Sequence, residues 1–144
     1  MTEGSPDPGR RPSRPAIDPA AVAPVVHRRY VPYSHAHYAG DLVDGAYVLG
    51  LFGDVATEMC IRTDGDEGLF ASYSDVQFVG PLRAGDVVEV RAEVVRVGRR
   101  SRELALTAYV ICRGRPEVSV SAAELLDEPL LITTARGTVV VPVS

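Results

Sequence analysis

The stretch His37 to Arg62, HYAGDLVDGAYVLGLFGDVATEMCIR, constrains this chain more than any other. It reads as a Gly- and Asp-rich turn feeding one long helix, from about Gly45 to Arg62, with Asp41 or Asp44 placed to cap its first backbone N–H groups. Val48, Leu49, Leu51, Phe52, Val55, Ala56 and Met59 make it apolar nearly all round, which predicts a central helix and not a surface one. Ala46, Gly50, Gly53 and Thr57 recur at i, i+4, i+7 and i+11. Each helical glycine costs about 1 kcal/mol relative to Ala, so this row marks a face where a sheet or a partner helix packs closely.

The remaining segments read as strands. Val25–Tyr33 has β-branched and aromatic content, with Pro32 placing it at an edge or ending it. A polar turn covers Ser34–Asp44. Leu69–Val79 alternates, putting Ala71, Tyr73, Asp75 and Gln77 on one face. Val87–Val97 and Arg102–Cys112 alternate as well, with Val88, Val90, Ala92 and Val94, then Leu104, Leu106, Ala108 and Val110, facing inward. Gly98–Ser101 joins those two as a hairpin. Ser121–Glu128 has capping-box spacing between Ser121 and Glu124 and is predicted to make one or two helical turns stopped by Pro129. Leu130–Val143 supplies a last strand, or two pieces broken at Gly137. Residues 1–24, with Pro6, Pro8, Pro12, Pro15, Pro19 and Pro24, are expected to be a disordered tail preceding a single domain over 25–144. The order of elements predicts an α+β fold, an antiparallel sheet of about five strands wrapped around one helix.

Composition removes several functions. The net charge of -4 gives no electrostatic footprint for nucleic acid. All fifteen basic residues are Arg, so no lysine Schiff base can form. Neither a GxGxxG nor a GxxxxGK[ST] motif is present. Cys60 and Cys112 stand far apart inside apolar segments and are expected to be buried free thiols, with no disulfide framework and no metal site. No apolar run is long enough to span a membrane, and a soluble cytoplasmic protein is the expectation.

FVGPLRAGDVVEVRAEVVRVGRRSRELALTAYV resembles the hot-dog fold of acyl-CoA thioesterases and dehydratases. HYAGDLVDGA, LFGDVATEMCIRTDGDEGLFASY and ARGTVVVP are most similar to β-aminoacyl-CoA ammonia-lyases, over about residues 27 to 142. Two departures are visible: the insertion from Gly114 to Glu128, and Asp41 where Asn is expected. The resemblance implies reversible loss of ammonia from a β-aminoacyl-CoA to give the enoyl-CoA. An acyl-CoA thioesterase and a non-catalytic acyl-CoA-binding subunit are the alternatives. It implies no cofactor, coenzyme A being part of the substrate, and assembly as a homodimer or a trimer of dimers with the site between chains.

Such a reaction needs a base for the acidified α-proton, donors for the enolate oxygen and a proton for the departing amine. The resemblance implies that the thioester carbonyl lies over the helix N-terminus, at the N–H of Gly45 or Ala46. Asp44 is either a base, an ammonium anchor or only an N-cap. Asp54 and Glu58, one turn apart, repel unless bonded to neighbours, and burial would raise one pKa and suit acid/base work. Glu58 also stands four residues before Arg62, at salt-bridge spacing. His37 and Tyr38 abut the turn and could shuttle a proton or orient the acyl group, or be ordinary loop residues. Tyr73, Asp75 and Gln77 either line the acyl pocket across a dimer or form a solvated face. Arg99, Arg100 and Arg102, with Arg113 and Arg115, either grip coenzyme A phosphates or are solvated.

Overall fold

The computed structural model describes residues 16–142. Most of the expected tail therefore lies outside the described residues; its last part holds a 3-10 turn, Pro19–Ala21, in which the Ala20 N–H donates to the Asp18 carboxylate at 3.0 Å. Among the described residues the strands are β1 (Val25–Tyr30), β2 (Ala36–Tyr38), β3 (Leu42–Val43), β4 (Leu69–Phe78), β5 (Val87–Val97), β6 (Ser101–Gly114) and β7 (Ala123–Val140), and the one α-helix is α1 (Gly45–Asp64). Five strands form one antiparallel sheet in the order β1-β5-β6-β7-β4. Helix α1 packs across one face of it, which is the expected α+β hot-dog plan.

The alternation in β5 and β6 sets this up. Val88, Val90, Ala92, Val94, Leu104, Leu106, Ala108 and Val110 all face α1 and are buried. The helix answers with Val48, Leu51, Phe52, Val55, Ala56 and Met59. Phe52 and Met59 are fully enclosed, each stabilising the fold by about 1.5–3 kcal/mol. The helix ends at Gly65, which takes φ 64° and returns its N–H to the Ile61 carbonyl at 2.9 Å, a left-handed stop that glycine adopts without strain.

Five expectations change. The helix is not buried all round: Ala46, Gly50, Asp54 and Thr57 are exposed in the single chain, and nothing lies within 4 Å of where a Cβ would stand on Gly50 or Gly53. In β4, register shifts between Phe70 and Ser72 and between Ser74 and Gln77 break the alternation, so Phe70, Tyr73 and Val76 point inward and Asp75 does not share the face of Tyr73. Asp75 sits in the second irregularity at φ 52°. The segment Ser121–Glu128 is not helical. Ala123, Glu124 and Leu125 pair with the overhanging end of β6, and Pro129 falls inside the irregularity between Val110 and Cys112, where no ladder N–H is needed. Gly137 leaves β7 unbroken, because Phe70 and Leu106 lie against the space its side chain would fill. Finally, the polar turn before the helix carries the small β2–β3 pair.

Candidate active site at the start of the helix

The turn entering α1 is shaped by two left-handed residues, Gly40 at φ 76° and Asp41 at φ 62°. It then runs alongside Leu82–Ala84: the Val43 N–H reaches the Leu82 carbonyl at 2.9 Å, and the Ala84 N–H the Asp41 carbonyl at 2.8 Å. Buried Asp86 pins that second segment, accepting from the Arg83 N–H at 2.8 Å and from Arg113 at 2.9 and 3.1 Å. A cleft of about 350 Å³ opens beside this ridge, at the N-terminus of α1. Tyr38, Asp44 and Gly45 line it together with Val48, Phe78 and Leu82.

Asp44 occupies the N-cap position with extended backbone, yet its side chain makes no capping bond. The first-turn N–H groups of a helix have no intrahelical partner, so this end of α1 presents uncapped donors and positive potential. The Asp44 carboxylate stands on the cleft rim beside them. Gly45 lets the Phe78 ring close over the start of the helix: a Cβ there would stand 2.5 Å from the ring, which would have to shift. Phe78 is placed by the end of β4, where the N–H groups of Val79 and Gly80 both reach the Ile132 carbonyl, at 2.8 and 3.1 Å. Sequence reasoning missed Phe78; its signal was an aromatic residue just before Gly80-Pro81. Ala46 lies on the open side of the helix, and its side chain is not part of the cleft lining. His37 is exposed, its ring 4.6 Å from that of Tyr38 in an edge contact. His35 makes a comparable contact with Tyr47 at 4.5 Å, and burial pushes the Tyr47 hydroxyl above its ordinary value against the pull of Arg29.

The other candidates lie elsewhere. Asp54 and Glu58 follow Asp44 by ten and fourteen positions, roughly 15 and 21 Å along the helix at 1.5 Å per residue. Both are paired: Glu58 with His27 of β1 at 3.0 Å and with Arg62 at 2.9 Å, Asp54 with Arg29 of β1 at 3.9 Å. The rise expected for one of this pair is not found at Glu58, whose pKa moves the other way. Hydrogen bonds from His27, then Arg62, hold its carboxyl below the ordinary value, because the charged form is the one they stabilise. Tyr73 donates its hydroxyl to the Leu49 carbonyl at 2.6 Å and packs on Phe70, and burial raises its pKa. Asp75 is exposed on the outer strand, accepting from Gln77 at 3.3 Å.

Arg102 is not available to a phosphate. It is buried and grips Asp64 through two bonds of 2.7 and 3.0 Å, while its Nη1 donates to the carbonyls of Gly98 and Ser101. This ties the β5–β6 hairpin to the C-terminal end of α1, so exposed Arg99 and Arg100 stand about 30 Å from the cleft of their own chain. Cys60 is buried, its thiol pushed up to about 11, whereas Cys112 is partly exposed. Among the described residues no group of three or more His, Cys, Asp or Glu is placed to hold a metal ion, and no helix is long and apolar enough to cross a membrane.

The thioesterase superfamily profile matches residues 42–117, from the cleft ridge through β6. A 3-aminobutyryl-CoA ammonia lyase of Acetoanaerobium sticklandii is 47% identical over 107 residues, covering 74% of this chain and 85% of that protein. The chain belongs to the thioesterase superfamily, in its ammonia-lyase branch. The solved β-alanyl-CoA:ammonia lyase of Clostridium propionicum superposes with a TM-score of 0.78 at 31% identity, over 83% of this chain and 85% of that one. A hexameric hotdog fold thioesterase of Campylobacter jejuni, at 17% identity and TM-score 0.67 over 81% of this chain and 80% of its own, shares the fold. In both sequence and fold, therefore, the chain is more similar to this lyase than to this thioesterase.

Proposed function

We propose that this protein is a β-aminoacyl-CoA ammonia-lyase, interconverting a 3-aminoacyl-CoA with ammonia and the enoyl-CoA. The observation that carries the reading is the uncapped N-terminus of α1 opening into an apolar cleft with the Asp44 carboxylate on its rim. The thioester oxygen accepts from the N–H groups of Gly45 and Ala46, which stabilise the enolate as charge builds. Asp44 takes the α-proton. The C–N electron pair then leaves with neutral ammonia, and the proton on Asp44 passes to it, giving ammonium and restoring the carboxylate. Val48, Phe78 and Leu82 give the acyl chain an apolar wall, and Tyr38, backed by His37, borders the mouth.

Two copies are proposed to pair along β4. It is an outer strand with Leu69 and Phe78 exposed, and the small-residue face of α1 has open space beside it. In that arrangement Asp54, Glu58, Tyr73, Asp75 and Arg99–Arg100 are candidates to serve the partner's cleft, since they do not reach their own. A trimer of such dimers is the larger assembly proposed.

Incubation with crotonyl-CoA and ammonium tests the reading. Loss of enoyl absorbance without free thiol is the expected result. Thiol release without an amine adduct would instead mark a thioesterase, and neither signal would mark a non-catalytic subunit.

A further inference from the structure

Among the described residues, four buried positions carry polar or charged side chains: Asp64, Asp86, Arg102 and Thr133. Three of them are matched, Asp64 and Arg102 by each other and Asp86 by Arg113. Thr133 is 2% exposed, and its hydroxyl has no hydrogen-bond partner among the described residues. A buried hydroxyl left unpaired costs the fold free energy. Every fully enclosed side-chain nitrogen or oxygen there does have a partner, so this hydroxyl opens onto the space that Thr133 lines, the cleft at the start of α1.

The register of β7 puts it there. Between Ala108 and Tyr109 the β6–β7 ladder skips Ile132, so Ile132 and Thr133 are both buried, although neighbours in a regular strand point to opposite faces. Both line the cleft. On its other side Thr133 pairs with Phe78, whose ring stands against Gly45 at the first helical position. Besides Thr133, only Tyr38 and Asp44 bring polar side chains to the cleft lining, and Tyr38 is 58% exposed at its mouth. The floor of the cleft therefore carries a single polar side chain, facing the one that holds a carboxylate on the rim.

We propose that the Thr133 hydroxyl holds the amino nitrogen of the substrate. The assignment rests on the ammonia-lyase reading above and adds to it the residue that recognises the amine. The thioester oxygen is served by the N–H groups of Gly45 and Ala46, whereas an ammonium group has three N–H donors and needs acceptors that apolar walls do not supply. In amination, ammonium gives one proton to Asp44, and the ammonia so formed keeps one N–H on the Thr133 hydroxyl oxygen. That bond aims the nitrogen lone pair at C3. As the C–N bond forms, the C2–C3 π electrons move toward the thioester oxygen, and Asp44 then returns its proton to C2.

The test is Thr133→Val, which keeps the shape and removes the hydroxyl, with Thr133→Ser restoring it. In amination of crotonyl-CoA, KM for ammonium is expected to rise about tenfold or more in Thr133→Val, in keeping with loss of one bond to a charged group, while KM for crotonyl-CoA is unchanged. Thr133→Ser should bring KM for ammonium back toward the wild-type value. The urea midpoint of Thr133→Val should equal or exceed that of the wild type, because no bond within the fold is broken. An unchanged KM for ammonium overturns the proposal. So does a parallel rise in KM for crotonyl-CoA, which assigns the hydroxyl to the thioester, or a lowered midpoint, which assigns it to the fold. In a wild type that does not aminate crotonyl-CoA, calorimetric titration of 3-aminobutyryl-CoA against butyryl-CoA decides. A preference for the amine that Thr133→Val abolishes upholds the subsite and sinks the lyase reading; a preference that survives the change, or none at all, overturns the subsite as well.

Discussion

A carboxylate at a helix N-cap either caps or is free for other chemistry, and Asp44 does not cap. Asp44→Asn is expected to lower kcat by about 10²–10⁴, the usual contribution of a positioned base. Asp44→Ala should cost less than the ~1 kcal/mol of a working cap, checked by chemical denaturation. Glu58 gives a pH signature. Its folded pKa lies below the ordinary 4.5, so the charged form it shares with His27 and Arg62 adds stability that is present above that value and fades as pH falls through the lowered one. The difference in melting temperature between wild type and Glu58→Gln should therefore shrink below about pH 4.5, and being exposed the group gives a small difference throughout. The salt bridge of Glu58 with Arg62 was legible from their spacing. Its second partner, His27, lies 31 residues away and was not.

At the scale of elements, the Asp64–Arg102 pair locks the end of α1 to the β5–β6 hairpin. Arg102→Ala leaves a buried carboxylate without its main partner and is expected to destabilise the fold by about 3–5 kcal/mol, measurable by urea denaturation. Helix α1, β5 and β6 were all readable, because their faces repeat with the period of the structure and one face of each is buried. The 121–128 segment misled because a capping-box spacing is a local signal of about 1 kcal/mol at most, whereas the overhanging end of β6 offers a run of ladder hydrogen bonds and the Arg115–Glu124 ion pair. The bulges of β4 are equally invisible in composition: they depend on its register with β7.

For the whole molecule, the open row Gly50–Gly53 and the outer strand β4 carry the assembly argument. Gly50→Leu meets nothing inside its own chain and replaces a poor helix former, so the folded monomer should be retained while the dimer is lost and amination with it. Light scattering beside the crotonyl-CoA assay checks this; a dimer that survives the change would place the interface elsewhere.

The sequence by itself determined the one long helix, the strands β1, β4, β5 and β6, the inward faces of β5 and β6 and the resemblance to CoA lyases, since all of these are written in periodicity or in contiguous motifs. Only the tertiary structure decided that Asp44 and Gly45 share a cleft with Phe78, that Asp54 and Glu58 meet Arg29 and His27 of β1, and that Arg102 is sealed against Asp64. Those outcomes depend on which distant side chains meet, and long-range pairing leaves no local period to read.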